Sequence, residues 1–473
     1  MRAARIAFDD APERDFGGGR SRQILQILLR DDLISLRADR CYISDEWATH
    51  RVEARGRCCE AVPPMLLWNA RVIDGTGRPP RERAVVRIDE RRIAEVGETG
   101  GPAPEEAIDV GGRTLLPGLI DAHAHVSSDV SRSPGFGPPP PLHGEAPRRR
   151  EIGYFVLAKS ARALLEAGIT SVRDVGSYDD EAIVLREATR LGLLDGPRIL
   201  SCARIISATS PGGAIFKTMY READGADEMR RAVREQLRRG ADFIKLMATG
   251  ARSVVAEDPE PAQMTTEELH AVVDEAHRLG VRVAAHVEGL GGARLAVAEG
   301  VDTIEHGLSL HRDPALLEAM AERGIVLVPT LSTFHDLAER FTDTFAPVLV
   351  EQAKRQREEA YATLLAARAA GVTLAMGHDS GPPGDNALEL VRMVAGGLSA
   401  MEGIVAATQG SARALGLDDV GAIRPGATAD VLVVDGDPLD DVEVLRGPER
   451  MWLVVRDGRV VAGRGRGSGT MDA

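Results

Sequence analysis

Six residues that could bind divalent metal ions are spread over more than half of the chain. They are His123, His125, Lys245, His286, His306 and Asp379, and each lies in or just after a short apolar run. Side chains two positions apart on a strand point to the same face, so the imidazoles of His123 and His125 can reach one ion. Buried polar groups need partners, and one shared cation would serve the set. The pattern predicts a divalent metal site.

Each of these residues also has a simpler interpretation when it is taken alone. A single buried histidine is more often a hydrogen-bonded core residue than a metal ligand. Asp379 could cap a helix ahead of Gly381. A protonated Lys245 would repel a cation and could instead extend its amine to solvent from the end of a strand. It becomes a ligand only if the amine loses its charge or is converted to an anion.

Eight apolar segments separated by amphipathic helices would position these residues. A (β/α)8 barrel keeps its chemistry at the carboxyl ends of its strands, where the six residues fall. One intervening helix should begin with a capping box at Thr265 and end at Gly280. The predicted strands are Leu115 to His125, Ile169 to Asp174, Arg198 to Ile206, Phe243 to Met247, Val281 to Val287, Thr303 to His306, Ile325 to Thr330 and Val372 to Gly377.

Short strands with turn signals lie on both sides of this alternating region. Leu66 to Val72, Ala84 to Ile88 and Arg92 to Val96 precede it. Asp430 to Val434 and Trp452 to Val455 follow it, with a hairpin signal at Asp457-Gly458. Two β-rich flanks around one barrel suggest a small sandwich assembled from both ends of the chain.

Two further motifs complete a resemblance to a known family. They are Asn69-Ala70-Arg71-Val72-Ile73-Asp74-Gly75-Thr76-Gly77 and the run from Gly421 to Val434. With the six residues above, they make the chain similar to the amidohydrolase superfamily, close to its imidazolonepropionase-like and Xaa-Pro or Xaa-Arg dipeptidase branch. The resemblance covers nearly everything after Met65. It implies an α/β fold, a (β/α)8 TIM barrel with a small β-sandwich domain built from both chain ends.

The resemblance also implies a ligand set and a domain organisation. His123, His125 and Asp379 would hold one ion, His286 and His306 a second, and a carboxylated Lys245 would join the two. We expect both ions to be zinc. The expected segments are an N-terminal extension (1–64), the first part of the sandwich (65–113), a metal-dependent barrel (114–416), the second part of the sandwich (417–465) and a tail (466–473).

Such a site would perform metal-assisted hydrolysis. Two adjacent cations lower the pKa of a bridging water and polarise a carbonyl oxygen. Asp379 would accept the proton of the water and deliver it to the leaving nitrogen. We expect cleavage of an amide C–N bond in a dipeptide or an N-acyl amino acid. Hydrolysis of a cyclic amide, as in imidazolonepropionase, or of a lactone is the alternative, and a non-catalytic scaffold is a further one.

Candidate substrate-binding residues lie in the loops after the third and fourth strands. Arg252 is the first choice, because a dipeptide presents an α-carboxylate that needs a cation, and Tyr220 is the second. Arg221 lies beside Tyr220. Arg252 stands where the family often carries a small residue. For each of them, a solvated surface position is the competing interpretation.

Composition limits the partners of the protein. A net charge of −14 argues against a nucleic-acid groove, and 4% aromatic residues argues against base stacking. Neither a signal peptide nor an apolar run long enough to span a membrane is visible. The 4 cysteines show no Cys-x-x-Cys spacing. We therefore expect a cytoplasmic homo-oligomer that acts on a small-molecule substrate, with no nucleic-acid or membrane partner.

The first 64 residues differ from the rest of the chain. They contain no lysine, three of the cysteines, and one possible amphipathic stretch from Gln23 to Leu36. They could be a regulatory or oligomer-forming arm, or an extension read from an upstream start codon. We expect the extension.

Overall fold

The computed structural model of the protein describes residues 64–126, 150–340, 342–343, 346–380 and 383–467. The expected extension, except for its last residue, and the end of the expected tail lie outside this part of the chain. Along the described residues, strands alternate with helices through the middle, and strands predominate at both ends. None of the helices described is both long and apolar enough to cross a membrane.

Seventeen strands and twelve α-helices are described. The strands are β1 (Met65–Val72), β2 (Arg81–Asp89), β3 (Arg92–Glu98), β4 (Ile108–Asp109), β5 (Thr114–Pro117), β6 (Leu119–Ala124), β7 (Ile169–Asp174), β8 (Arg198–Ser201), β9 (Ile205–Ser207), β10 (Tyr220–Glu222), β11 (Ile244–Met247), β12 (Val283–Val287), β13 (Thr303–His306), β14 (Val326–Val328), β15 (Val431–Val434), β16 (Met451–Arg456) and β17 (Arg459–Ala462). The helices are α1 (Arg150–Glu166), α2 (Glu181–Arg190), α3 (Pro211–Phe216), α4 (Ala226–Arg239), α5 (Thr266–Arg278), α6 (Leu290–Glu299), α7 (Pro314–Arg323), α8 (Leu331–His335), α9 (Pro347–Ala369), α10 (Leu388–Ala395), α11 (Ala400–Val405) and α12 (Ser411–Leu415).

The centre of the fold is made of parallel strands. One parallel sheet has the order β6-β7-β8, and the other has the order β10-β9-β11-β12-β13-β14. Backbone hydrogen bonds also join the two sheets: Asp242 N donates to Ser201 O (2.8 Å), Leu327 N to Thr373 O (2.9 Å) and Ala122 N to Met376 O (2.8 Å). The middle of the chain is therefore a mixed α/β fold with parallel sheets, and its strands are almost wholly buried.

The two ends of the chain form a separate sheet together. Its strand order is β17-β16-β15-β5-β1-β2-β3, and β4 pairs with β1. A hydrophobic cluster that includes Leu67, Val86, Val431 and Leu453 packs on it. Residues from both ends thus share one hydrogen-bonded sheet, and the arrangement of this region as a sandwich stays a prediction.

The expected single strand from Leu115 to His125 is two strands in different sheets. Pro117 pairs with Val431 in the sheet of the chain ends, whereas Leu119 pairs with Ile169 in a parallel sheet. The chain changes sheet at Gly118, where a Cβ atom would lie 2.1 Å from the hydroxyl oxygen of Thr170. A glycine is required here because the next strand approaches so closely.

Two other expected strands also differ from the structure. The run from Arg198 to Ile206 is broken into β8 and β9 around Ala203, which has a left-handed φ of 60°. The run from Val372 to Gly377 makes one isolated parallel bridge, between Leu374 and Leu327, instead of a regular strand. The pattern of apolar residues did not predict this irregular backbone, because it contains no information about the dihedral angle φ.

The sequence predicted one helix cap and one hairpin turn that the structure contains. Helix α5 begins after Thr265 with a complete capping box to Glu268, and Gly280 follows its last turn with a φ of 75°. The β16–β17 hairpin turns at Asp457 and Gly458, both of which have positive φ. Both predictions are confirmed.

Candidate active site

The six metal-binding candidates lie together at the carboxyl ends of the parallel strands. His123 is in β6, Lys245 in β11, His286 in β12 and His306 at the end of β13. His125 directly follows β6, and Asp379 follows the irregular segment that links β14 to β6. All six line one cavity of about 180 Å³. Residues separated by up to 256 positions in sequence therefore share one site.

Asp379 lies at the centre of the histidines. Its Oδ1 is 3.3 Å from Nε2 of His125 and 3.5 Å from Nε2 of His123, and its Oδ2 is 3.8 Å from Nδ1 of His306. His123, His306 and Asp379 each offer a ligand atom within 4.8 Å of the other two. The rings of His286 and His306 are 4.5 Å apart between centroids.

Three buried atoms of this set have no hydrogen-bond partner among the described residues. They are Nζ of Lys245, Nε2 of His286 and Oδ1 of Asp379. Leaving a buried polar atom unsatisfied costs about 1–3 kcal/mol, so three of them in one cavity need an explanation. Imidazole nitrogens and a carboxylate are the donor set that zinc and similar divalent ions prefer. The residues present fit a metal ion.

Two buried charged residues, Glu305 and Arg173, orient His123. Its Nδ1 is 2.6 Å from Oε2 of Glu305, whose other oxygen accepts a hydrogen bond from Arg173 at 2.7 Å. Burial would raise the pKa of Glu305, but Arg173 and His123 outweigh burial and lower it below its usual range. Glu305 is therefore a carboxylate. It accepts the Nδ1–H of His123 and leaves Nε2 free for a cation.

The other ligand candidates have their own orienting partners. His125 Nδ1 donates to the carbonyl oxygen of Gly176 at 2.7 Å, which again turns Nε2 toward Asp379. His306 Nδ1 is 2.7 Å from the hydroxyl of Thr330. The hydroxyl of Thr333 donates to Oδ2 of Asp379 at 2.9 Å. Such supporting contacts fix the ring and carboxylate orientations that metal binding needs.

The backbone is strained at three positions around the cavity. His306, Thr330 and Asp379 have φ values of 68°, 49° and 47°, in the left-handed region that non-glycine residues rarely adopt. Each such conformation costs on the order of 1–3 kcal/mol and persists only where the surroundings enforce it. The strain turns His306 and Asp379 into the cavity at the ends of their segments.

The surroundings of Lys245 and His306 lower the pKa of both side chains. Burial lowers the pKa of Lys245 to about 8. Burial, followed by the neighbouring His286 and His123, lowers the pKa of His306 well below its usual value. A neutral imidazole and an amine close to neutrality can both donate electron pairs, whereas their protonated forms cannot.

The two expected substrate-binding residues both line the cavity, but their environments differ. Tyr220 stacks on Phe216 with ring centroids 5.0 Å apart, and burial raises the pKa of its hydroxyl well above the usual value. Arg252 is only 9% exposed and forms ion pairs with three carboxylates, those of Glu260, Glu288 and Glu359. Arg221, by contrast, pairs with Glu235 and is not part of the cavity lining.

Residues 114–461 match the sequence model of the amidohydrolase family. The chain belongs to this family. The match spans the parallel sheets, the cavity and the late strands of the sheet that the two chain ends form, which we call the terminal sheet. Together with the relatives below, it makes the protein a hydrolytic enzyme that acts on amide C–N bonds.

Named amidohydrolases are similar over most of the chain. Ochratoxinase from Aspergillus niger is 32% identical over 442 residues, covering 86% of this chain and 88% of that protein. Imidazolonepropionase from Paracoccus denitrificans is 28% identical, covering 75% of this chain and 88% of that protein. A crystal structure of a Xaa-Pro dipeptidase with bound methionine has a TM-score of 0.76 at 30% identity and covers 85% of this chain and 100% of that one.

Sequence reasoning missed the charged residues that support the amidohydrolase cavity. Glu305 and Arg173 interact inside the parallel strands, and Glu288 lies 3.4 Å from Nε2 of His286. A signal existed, because Arg173 and Glu305 are charged residues inside otherwise buried strands β7 and β13. A buried charge requires a partner, but the sequence does not show which residue provides it.

Proposed function

We propose that the protein is a binuclear-metal amidohydrolase that cleaves an amide bond of a dipeptide or an N-acyl amino acid. The observation that carries this proposal is the cavity in which Lys245, His286 and Asp379 present buried atoms that have no hydrogen-bond partner among the described residues. The hydrogen bonds that connect the two parallel sheets at both of their junctions support a closed (β/α)8 barrel as the scaffold. The boundaries of the barrel (114–416) and of the flanking sandwich parts belong to the same proposal.

The ligand roles are those that the resemblance to the family implies. His123, His125 and Asp379 would hold one ion, His286 and His306 the other, and a carboxylated Lys245 would bridge them. Carboxylation requires a neutral amine, and a pKa of about 8 makes that form accessible near neutral pH. When bound, the two ions, which we expect to be zinc, supply an activated water and polarise the scissile carbonyl.

Asp379 is the residue that we assign to proton transfer. Its Oδ1 faces the cavity without a hydrogen-bond partner among the described residues, while Thr333 holds Oδ2. Burial would raise its pKa, but His123 and His125 outweigh burial and keep the pKa well below the usual range. The carboxylate is therefore ionised and can accept a proton, then deliver it to the leaving nitrogen.

Arg252 and Tyr220 are the residues that we propose for substrate binding. A neutral Tyr220 hydroxyl is a hydrogen-bond donor at the cavity wall. Arg252 already has three carboxylate partners, so a substrate carboxylate would have to replace or share one of them. We therefore expect Tyr220 to contribute more than Arg252 to the affinity for a free carboxylate.

A cyclic amide is the second candidate substrate. Its support is the similarity to imidazolonepropionase, at 28% identity. The similarity to a Xaa-Pro dipeptidase, at 30% identity, supports an open-chain amide. Lactone hydrolysis remains a variant of the second candidate.

Metal analysis combined with a substrate screen tests the proposed function. The purified full chain should contain about two divalent ions and should cleave members of a library of dipeptides, N-acyl amino acids and lactams at neutral pH. A metal content near zero, with no activity after addition of zinc, cobalt or manganese plus bicarbonate, would contradict the metal site. Cleavage of lactams or lactones alone would contradict the open-chain substrate and leave the metallohydrolase intact.

Cytoplasmic location (the first) and self-association (the second) belong to the same proposal. Light scattering on the full chain gives a direct test of the second, and a mass equal to that of one 50.6 kDa chain would contradict a homo-oligomer.

A further inference from the structure

One side of the cavity is a wall of apolar side chains from a single excursion of the chain. Between β8 and helix α4 the chain makes strand β9, helix α3 and strand β10, and β10 pairs with β9 in parallel. Ile205, Phe216, Met219 and Tyr220 of this excursion line the cavity. We call these four residues the apolar wall.

The apolar wall continues on neighbouring elements. Met247 of β11 packs in the same hydrophobic cluster as the four wall residues. Phe334 and Leu337, which follow β14, line the cavity as well. Phe334 contacts the His306 ring edge to face, with centroids 6.4 Å apart. An apolar surface therefore extends to the histidines that we assign to the metal.

The apolar wall is held in place by a carboxylate that connects helix α3 to the loop after β11. Oε1 of Glu257 accepts the backbone N–H of Gly212 at 2.7 Å, and Oε2 accepts that of Ala251 at 2.7 Å. A Cβ atom at residue 212 would lie 2.8 Å from Oε1, so a glycine permits the contact. The stacked rings of Phe216 and Tyr220 add a second constraint. The wall is thus a preformed surface.

We propose that this surface selects substrates in which one of the two groups flanking the scissile amide is large and apolar, such as an aromatic or long aliphatic side chain or acyl group. The inference rests on the proposed function. A preformed apolar surface gains about four-fold in binding for each methylene that it removes from water. A polar group placed against the apolar side chains of the wall, away from the Tyr220 hydroxyl, would lose its water hydrogen bonds without replacement.

Two matched series of N-acyl amino acids test the selection. The first keeps glycine and lengthens the acyl group from acetyl through butanoyl to hexanoyl and phenylacetyl. The second keeps acetyl and enlarges the amino acid from glycine through alanine to leucine and phenylalanine. With the metal-loaded full chain, kcat/KM should rise about four-fold per added methylene in at least one series.

Variants of the apolar wall connect this selectivity to its residues. Phe216→Ala and the milder Met219→Ala should flatten the rise in the steep series, so that the ratio of kcat/KM between the largest and the smallest substrate falls. Phe155→Ala is the matched control, because Phe155 is 73% exposed on α1 and does not line the cavity. Thermal unfolding of each variant verifies that the fold is retained, and Met219→Ala replaces Phe216→Ala if the latter does not fold.

Binding without turnover separates failure of this inference from failure of the proposed function. Calorimetric titration of the full chain with acetate, hexanoate and phenylacetate should give affinities that rise with apolar size and that fall in Phe216→Ala. Equal kcat/KM across both series, or equal affinity for the three acids, would overturn the apolar selection while leaving amide hydrolysis intact. If no amide is cleaved but the affinities rise as expected, the proposed function fails and the apolar site stands.

Discussion

Nδ1 of His123 lies 2.6 Å from Oε2 of Glu305, and both side chains are buried inside the parallel strands. This contact determines which ring nitrogen of His123 can face a cation. Arg173 pairs with the same carboxylate. The orientation of the His123 ring and the stability of the fold therefore both depend on Glu305.

Glu305→Gln should weaken metal binding and destabilise the fold together. The amide no longer balances the charge of Arg173 and holds the His123 tautomer less firmly. We expect metal affinity to fall by about 10–100-fold. The free energy of unfolding should fall by about 3 kcal/mol, since a buried cation loses its partner. Metal competition titrations and urea unfolding measure the two effects.

Glu318→Gln is the control for this change, since Glu318 is exposed on α7. It should alter neither quantity. Unchanged metal affinity in Glu305→Gln would mean that the backbone alone orients His123.

Lys245→Ala should remove the bridge between the two proposed ions. We expect the metal content to fall from about two ions toward one and activity to fall by orders of magnitude. A short carboxylic acid such as acetate or propionate should restore part of the activity by supplying the missing anion. Lys354→Ala, at a half-exposed lysine of α9, is the control. Wild-type metal content and activity in Lys245→Ala would show that this amine is not a ligand.

The sequence was sufficient to predict which side chains converge, because strand ends in a parallel fold share one edge. His286 and His306 could be placed from their apolar runs alone, each at the end of a strand. Arg252 was also correctly expected near the cavity, yet its three glutamate partners were not expected. One of them, Glu359, is 107 positions away on α9, and no local pattern reports a contact of that range.

The predicted strands that pass through Gly118 and Ala203 were wrong for another reason than the unpredicted partners of Arg252. Apolar periodicity describes burial but not the sheet to which a strand belongs. At Gly118 the chain changes sheets where Thr170 approaches the backbone closely, and at Ala203 a left-handed residue interrupts the strand. Both depend on tertiary contacts that override local propensity.

Glu389 should make stability depend on pH. It is fully buried, its oxygens accept the backbone N–H groups of Leu331 and Ser332 at 2.8 Å, and burial raises its pKa from 4.5 to about 7. Between pH 4.5 and 7 the unfolded chain releases this proton while the folded chain keeps it, so stability falls as pH rises.

Comparison of the wild type with Glu389→Gln isolates this titration. The free energy of unfolding of the wild type, relative to the variant, should fall by up to about 3 kcal/mol from pH 4.5 to pH 7 and then level off. Urea unfolding at several pH values measures it, with the exposed Glu318→Gln as a control that should give a flat difference. A difference that rises with pH would show that the helix-end N–H groups outweigh burial.

A chain shortened to begin at Met65 should fold and keep its turnover rate. Met65 is the first residue of β1, which pairs with β2, β4 and β5, so the terminal sheet stays whole. A chain beginning at Ile73 lacks β1 and should be insoluble, which makes it the matched control. Insolubility or a changed oligomeric state of the Met65 chain would show that the first 64 residues are a structural arm.

Glu257→Ala should loosen the apolar wall without touching the residues assigned to the chemistry. It removes the carboxylate that accepts N–H groups from Gly212 and Ala251, and each lost charged hydrogen bond is worth about 1.5–3 kcal/mol. Part of that loss should appear as a KM about ten-fold higher for substrates with a large apolar group, with kcat changed by less than about three-fold. KM for the acetyl-glycine analogue should change little, because that substrate is too small to contact the wall.

Hydrogen exchange supplies the structural measurement for the same variant. Amides of residues 211–216 and 250–257 should exchange faster in Glu257→Ala than in the wild type, whereas those of α5 should not change. Glu267→Ala, at an exposed residue in the first turn of α5, is the control and should leave both KM values and the exchange of both segments unaltered. Because the Glu257 carboxylate is not among the residues that line the cavity, an equal rise in KM for small and large substrates would show a general disturbance of the site. Such a result would contradict a role for Glu257 in positioning the apolar wall.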